Sequence, residues 1–131
     1  MKGRDHLANL VKRVKENSDP NELPELLTEL AGWTFECARE EAREHGRYIL
    51  AERTRKAKCA EVKLEKMAQG SSATKADAEL EADARVKEAW RDEIGAQAER
   101  LELKALLDGA RDVMDAARSK LSWLKAEMQH G

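Results

Sequence analysis

The amino-acid sequence predicts an all-α fold, and three observations support this prediction. Charged residues make up 38% of the chain and aromatic residues only 4%, while apolar residues still reach 41%. Much of the sequence consists of Ala, Glu, Lys, Leu and Arg, the composition of long helices and coiled coils. Apolar residues also recur at helical spacing, which argues against disorder. The predicted architecture is a single helical domain, residues 1–131, with a short N-terminal helix followed by a long helical hairpin.

A short first helix is predicted over residues 4–16. Leu7, Leu10 and Val14 recur every three or four residues, as on the apolar face of an amphipathic helix. The stretch "ENSDPNELPEL" that follows contains both prolines of the chain and therefore ends this helix.

A long second helix is predicted over residues 22–69. It is expected to begin between Asp19 and Pro24, because a proline is tolerated in the first turn of a helix. No proline follows Pro24. Gly46 costs a helix about 1 kcal/mol relative to alanine. The second helix is therefore either continuous or broken at Gly46.

A turn over residues 70–74 separates the second helix from the last one. Gly70 suits the residue that follows a helix C-terminus, where glycine readily adopts a left-handed conformation. Thr74 and Asp77 resemble a capping box, which predicts that the last helix extends over residues 75–129.

The last helix ends in a heptad pattern typical of a coiled coil. From Leu103 to Met128, small or apolar residues follow one another in alternating steps of four and three. Trp90 and Ile94 follow a different phase, so a bend or a change of partner is expected between Gly95 and Leu103. The apolar surface exceeds what one hairpin can bury, which predicts a homo-oligomer. The predicted oligomerisation residues are Leu103, Leu107, Ala110, Met114, Ala117, Leu121, Leu124 and Met128.

Charge is divided along the hairpin, although the formal net charge is only −2. Residues 43–66 carry eight basic and four acidic side chains, whereas residues 76–99 carry three basic and eight acidic ones. This balance argues against nucleic-acid binding by the whole surface but permits a local basic patch. Two interpretations remain open: the two segments neutralise each other across the hairpin, or the basic segment binds a polyanion.

The basic segment has the sequence "RTRKAKCAEVKLEK" over residues 53–66, and Arg47 and Tyr48 precede it. Rows of basic residues on a helix can follow a phosphate backbone, and an aromatic ring can stack on a base. The alternative is a solvated helix face with Tyr48 in the core. The candidate nucleic-acid-binding residues are Arg47, Tyr48, Arg53, Arg55, Lys56, Lys58, Lys63 and Lys66.

No catalytic or metal-binding motif is found in the sequence, which predicts a protein that is not an enzyme and needs no cofactor. The glycines are scattered, and HExxH, GxSxG and paired-cysteine patterns are missing. Cys37 and Cys59 are expected to be thiols in a reducing compartment. No apolar run reaches transmembrane length, which predicts a cytoplasmic protein without membrane contact. The three tryptophans fall in apolar stripes, which favours core or subunit-interface roles over base stacking.

The order of these segments resembles the UvsY family of recombination mediators from T-even phages. The matching stretches are "KCAEVKLEKMAQGSSATKADAELEADARVKEAW" and "LLDGARDVMDAARSKLSWLK". The resemblance implies a ring-like homo-oligomer in the cytoplasm of a phage-infected or bacterial cell. It also implies that the protein binds single-stranded DNA and helps a RecA-like recombinase displace the single-strand-binding protein.

The family's DNA-contacting residues lie just before the Gly/Ser turn, although their spacing differs from that of the basic residues here. The corresponding region contains Lys58, Lys63 and Lys66, and Arg53, Arg55 and Lys56 lie one or two turns upstream. A structural or scaffolding coiled-coil protein without a nucleic-acid role explains the heptads and the charge content equally well.

Overall fold

The computed structural model describes the backbone of residues 2–130 and the side chains of residues 3–130, so the ends of the predicted 1–131 domain lie outside it. The described chain is all-helical, which confirms the predicted class, the long second helix and the long C-terminal helix. It packs into two compact units, here called unit 1 (up to Ala42 and from Leu101) and unit 2 (Arg43–Arg100). The helices are α1 (Lys2–Glu16), α2 (Leu23–Ala68), α3 (Ala73–Leu80) and α4 (Ala84–His130).

Unit 1 has an apolar core formed by α1, the first part of α2 and the last part of α4. Leu7, Leu30 and Leu103 are fully buried in it. Removing each such side chain from water contributes about 1.5–3 kcal/mol. Next to the core, Lys120 Nζ of α4 donates a hydrogen bond of 2.6 Å to the carbonyl oxygen of Asn17, the residue that follows α1.

Most of the predicted oligomerisation seam is part of this core. The side chains from Leu103 to Ala117 are buried within the chain because α1 and α2 cover them. This packing replaces the predicted contact with a second subunit over that stretch. Leu121 and Leu124 are half-buried, and Met128 at the end of the seam is 63% exposed. The buried seam residues are Leu103, Leu107, Ala110, Met114 and Ala117.

Cys37 is a structural thiol of unit 1. Its side chain is 2% exposed, and its Sγ lies 3.8 Å from the carbonyl oxygen of Gly3. Burial, reinforced by the charge of Glu40, raises the pKa of the Cys37 thiol. The thiol therefore stays protonated at neutral pH, as expected of an unreactive core cysteine.

The turn after α2 closes on Gly70. This glycine has a φ of 106°, in the left-handed region that favours glycine, as its predicted capping role requires. The N–H of Ser71 donates to the carbonyl of Lys66, and the N–H of Gly70 donates to the carbonyl of Met67, both at 3.0 Å. These two bonds form the Schellman motif, which satisfies carbonyls at the end of the helix.

The predicted helix over residues 75–129 is interrupted, and its predicted capping box is wrong. Ser72 is the N-cap, and its side chain accepts a hydrogen bond of 3.2 Å from the N–H of Lys75. The helix that starts there ends at Leu80. Asp83 Oδ1 then accepts a hydrogen bond of 2.9 Å from the N–H of Arg85. An aspartate in this position competes with helix continuation and starts a new helix, so α3 and α4 are separate.

Of the two alternatives for the second helix, the continuous one is observed, because α2 runs unbroken through Gly46 from Leu23 to Ala68. Helix α4 passes from unit 2 to unit 1 at Leu101, within the interval predicted for a bend or a change of partner, but the expected difference in phase is wrong. The side chains that α4 turns inward keep one heptad phase from Val86 to Leu121. The inward positions of α4 within unit 2 are Val86, Ala89, Glu93, Ala96 and Arg100.

Candidate nucleic-acid interface

In unit 2, the second part of α2 and the first part of α4 form an antiparallel hairpin. Glu65 pairs with Arg85 at 2.7 Å, and further along the hairpin Arg55 pairs with Glu93, also at 2.7 Å. The apolar contribution to its interior is small, since Val62, Val86 and the alanines at 76 and 89 are its buried apolar residues. Unit 2 therefore depends on charged pairs to a greater extent than unit 1.

The three lysines on which the family resemblance places DNA contacts are all engaged in ion pairs. Lys58 Nζ lies 3.0 Å from Glu61, and Lys63 Nζ lies 2.9 Å from Asp77 of α3. Lys66 Nζ lies 3.9 Å from both Glu79 and Asp83, whose carboxylates flank the turn between α3 and α4. The basic and acidic segments thus neutralise each other over this part of the hairpin.

Arg55 is part of the hairpin interior and not an outward-facing cation. Its Nε and one terminal nitrogen donate to the two carboxylate oxygens of Glu93 at 2.7 and 3.3 Å. This hydrogen bonding raises the pKa of Arg55. The guanidinium carbon also lies 4.2 Å from the centre of the Trp90 ring. Arg55 is therefore paired with a carboxylate and packed against Trp90 in this arrangement, unlike the exposed cations of α2.

Tyr48 is half-buried on the inner side of α2. The guanidinium carbon of Arg100 lies 5.8 Å from the centre of its ring, within the range of a cation–π contact. The core alternative considered for Tyr48 therefore describes its position better than a base-stacking role.

The remaining candidates lie on the outer side of α2. Arg47 is paired with Glu44 at 3.0 Å, yet 73% of its side chain is exposed. Lys56 is paired with Glu52 at 2.8 Å and is 62% exposed. The Lys56 pair joins neighbours on one helix that are in contact with water, and such pairs are weak, about 0.3–0.5 kcal/mol, so a phosphate can replace that carboxylate at little cost. The side chain of Glu44 is only 9% exposed, so the Arg47 pair is shielded from water on the carboxylate side. Arg53 is exposed and forms no ion pair with any other part of the described chain.

An arginine row runs along the outer side of α2 and comprises Arg43, Arg47 and Arg53. Arg43 is exposed and, over the range that the structure describes, has no ion-pair partner. At 100° per residue the three side chains lie within about a third of the helix circumference, and they span about 15 Å along the axis. Leu50 lies between them and is 66% exposed. The row presents positive charge and a small apolar surface to solvent.

At the end of unit 2 that contains the turn after α2, Arg85 forms ion pairs with two carboxylates. It contacts Glu65 at 2.7 Å and Asp83 at 3.2 Å. Hydrogen bonding to Arg85 lowers the pKa of both carboxyls and raises the pKa of the guanidinium. Both acids are therefore ionised at neutral pH and hold local negative charge beside the lysines, which further weakens that end as a polyanion site.

Several large apolar side chains of unit 2 face solvent. Leu50, Leu64 and Met67 on α2 are 66%, 68% and 41% exposed. On α4, Trp90 and Ile94 are 42% and 59% exposed. Trp90 and Ile94 produced the misleading apolar phase of α4, because the inward positions of this helix include Glu93 and Arg100 as well as Val86 and Ala89.

Sequence reasoning did not select Arg43, which the structure leaves exposed, and it allowed a core role for Trp90, which is 42% exposed. The signal that could have identified both is the heptad phase that places Glu93 and Arg100 inside. That phase puts Trp90 outside, and the same reasoning on α2 puts Arg43 outside. This heptad phase is hard to recognise in the sequence, because glutamate and arginine are rarely interior residues.

Within residues 2–130, no group of three or more His, Cys, Asp or Glu side chains is arranged to bind a metal. No described helix is both long enough and apolar enough to cross a membrane. Comparison with protein-family models, with curated proteins and with solved structures gives no match for this chain.

Proposed function

We propose that this protein binds single-stranded DNA along the outer side of α2 and acts as a recombination mediator. In that role it helps load a RecA-like recombinase onto DNA coated with single-strand-binding protein. The observation that carries the binding proposal is the arginine row of Arg43, Arg47 and Arg53, which faces solvent while the lysines nearer the turn are neutralised. The mediator role rests on the resemblance to the UvsY family.

The chemistry of the arginine row suits a single strand. A guanidinium binds phosphate through two parallel hydrogen bonds and also stacks on the flat faces of bases. The row reads no base edges, as expected of a protein that must bind any sequence. Each phosphate contact releases counterions, so affinity falls with rising salt by about 0.7 in log K per contact for each tenfold change in salt.

The first prediction concerns the location of this site. Changing Arg43, Arg47 and Arg53 together to alanine should lower the slope of log K against log salt by about 2, because three single-strand phosphate contacts are lost. Changing Lys58, Lys63 and Lys66 to alanine should have the smaller effect, because those lysines already have carboxylate partners. Fluorescence anisotropy of labelled poly-dT, with a duplex as competitor, measures both.

A matched control for this experiment is the double change of Arg111 and Arg118 to alanine. Both arginines are exposed on α4 and paired three residues back, as Arg47 is. Unchanged binding is expected. If the lysine variant loses binding while the arginine variant keeps it, the site lies at the turn and our assignment is wrong.

Mediator activity is tested separately with a RecA-like recombinase on DNA coated with single-strand-binding protein. The protein should shorten the lag before the recombinase hydrolyses ATP.

A second candidate function is that of a structural coiled-coil protein. It is favoured by a set of exposed apolar side chains on α2, separate from the arginine row. Leu50, Ala57 and Leu64 are exposed at heptad spacing. In a parallel pair of α2 helices, Lys56 faces Glu61 of the second copy, which supplies charge complementarity. The occupant of this surface would thus be another copy of the same chain.

The second prediction tests that alternative by light scattering. If α2 pairs with a second copy, changing Leu50 and Leu64 to serine should reduce the molar mass in solution to that of a monomer. Changing Leu101, which is 48% exposed on α4, to serine serves as the control. The structural coiled-coil function is favoured if the parent protein self-associates through Leu50 and Leu64 and binds no oligonucleotide even at low salt.

A further inference from the structure

Trp90 is held in a fixed orientation on the outer side of the unit 2 hairpin. One face of its indole ring lies against the guanidinium of Arg55, with 4.2 Å between the guanidinium carbon and the ring centre. Arg55 is itself fixed by two hydrogen bonds to Glu93, whose side chain is 9% exposed. The Arg55–Glu93 ion pair thus packs against one face of the indole ring.

The rest of the Trp90 ring is open to solvent. The residue is 42% exposed although the guanidinium of Arg55 lies over one face of the ring. Its neighbour Ile94, one turn further along α4, is 59% exposed.

Cations flank the exposed ring. Lys87, three residues before Trp90, and Arg91, one residue after it, are both exposed, and neither forms an ion pair with the side chains that the structure describes. The nearest exposed acids on α4, Glu88 and Asp92, lie two residues to either side of Trp90 and so point away from it around the helix. On α4 the exposed charged side chains nearest the ring are therefore cations, whereas Glu93 and Glu52 act on Arg55 at the covered face.

We infer that Trp90 is a stacking platform for a base of the bound single strand, with Lys87 and Arg91 contacting the adjacent phosphates. This inference rests on the proposed function and adds a second contact region on α4. Arg55 covers one face of the ring and restrains the indole side chain before DNA binds. The entropy cost of ordering this side chain on binding is therefore small, which favours affinity. Stacking on the open face is indifferent to base identity, since every base has a flat face.

The variants that test this inference separate the aromatic ring from the side-chain volume. Changing Trp90 to alanine should weaken poly-dT binding about tenfold, the scale expected on removing one base-stacking aromatic. Changing Trp90 to tyrosine should restore most of the affinity. Changing Trp123, which is 60% exposed on the same helix in unit 1, to alanine is the matched control and should leave affinity unchanged. Circular dichroism establishes that each variant is folded.

A direct readout comes from tryptophan fluorescence. In a protein with Trp33 and Trp123 changed to phenylalanine, Trp90 is the remaining indole, and poly-dT should quench its emission at the same concentrations that raise the anisotropy of labelled DNA. If the Trp33 change impairs folding, the comparison of alanine with tyrosine at position 90 in the otherwise parent sequence decides alone.

The outcomes distinguish the two proposals. If the parent protein binds no poly-dT at low salt, the proposed function itself fails. If the parent binds but the alanine variant at position 90 binds equally well, the stacking inference is overturned while the binding function stands. If that variant instead lowers the molar mass in solution and binds DNA as before, the exposed face of Trp90 belongs to an interface between copies of the chain.

Discussion

Changing Leu103 to alanine should lower the free energy of unfolding by about 3 kcal/mol, the largest effect expected from a single core substitution here. Leu103 is fully buried in the core of unit 1, among leucines of α1 and α2. The loss combines the transfer energy of the removed methyl groups with the cavity that the rigid helices cannot fill. Urea denaturation followed by circular dichroism at 222 nm measures it.

Leu101 provides the control, because it lies two residues away on the same helix and is 48% exposed. Its change to alanine should alter the unfolding free energy by no more than about 0.5 kcal/mol. The difference in unfolding free energy between the Leu103 variant and the parent should also be the same at two protein concentrations tenfold apart, as expected for an intramolecular contact. A substitution at Leu103 that dissociates an oligomer and leaves the subunit fully stable would show that the seam faces a second copy instead.

The second large effect is expected at Glu93. Changing Glu93 to alanine removes both hydrogen bonds to Arg55 and leaves that guanidinium, whose side chain is only 19% exposed, without its counter-ion. We expect the free energy of unfolding to fall by about 2–4 kcal/mol, less than for a fully enclosed pair because Arg55 keeps some contact with water. Thermal and urea unfolding both report it.

A double substitution shows whether the cost comes from the stranded charge. Changing Arg55 to methionine together with Glu93 to leucine should recover most of the lost stability, because an apolar pair of similar volume needs no charge compensation. Changing Asp108, the exposed partner of Arg111, to alanine is the control and should have no resolvable effect. A double variant as unstable as the Glu93 variant would mean that the pair specifies a geometry that apolar side chains cannot reproduce.

The sequence alone predicted the helices well. Their apolar periodicity depends on contacts between residues three and four apart, and the turn at Gly70 depends on the ability of one residue to adopt a positive φ. The separate helix α3 was missed because the side chain of Asp83 can either face solvent within a helix or cap a new one. Composition does not distinguish these two uses of an aspartate.

The sequence located the basic residues on α2 but did not show which of them have carboxylate partners. The sequence placed the positive charge on α2 correctly, yet it treated Lys58, Lys63 and Lys66 as equivalent to Arg53. The structure gives those three lysines carboxylate partners, on α2 itself or on the α3 segment, and leaves Arg53 in solvent. A lysine and an arginine on one helix look alike in sequence until the segment packed against them is known.

The sequence by itself thus determined an all-helical chain, its turn after α2, and a helix carrying concentrated positive charge. These features arise from hydrogen bonds, propensities and side-chain spacing within a few residues. Only the tertiary structure decided that Glu93 and Arg55, 38 residues apart, form an ion pair inside the hairpin while Trp90 and Leu50 face water. The physical reason is that such contacts depend on the register in which two helices pack, and register is a property of the whole hairpin and not of either helix.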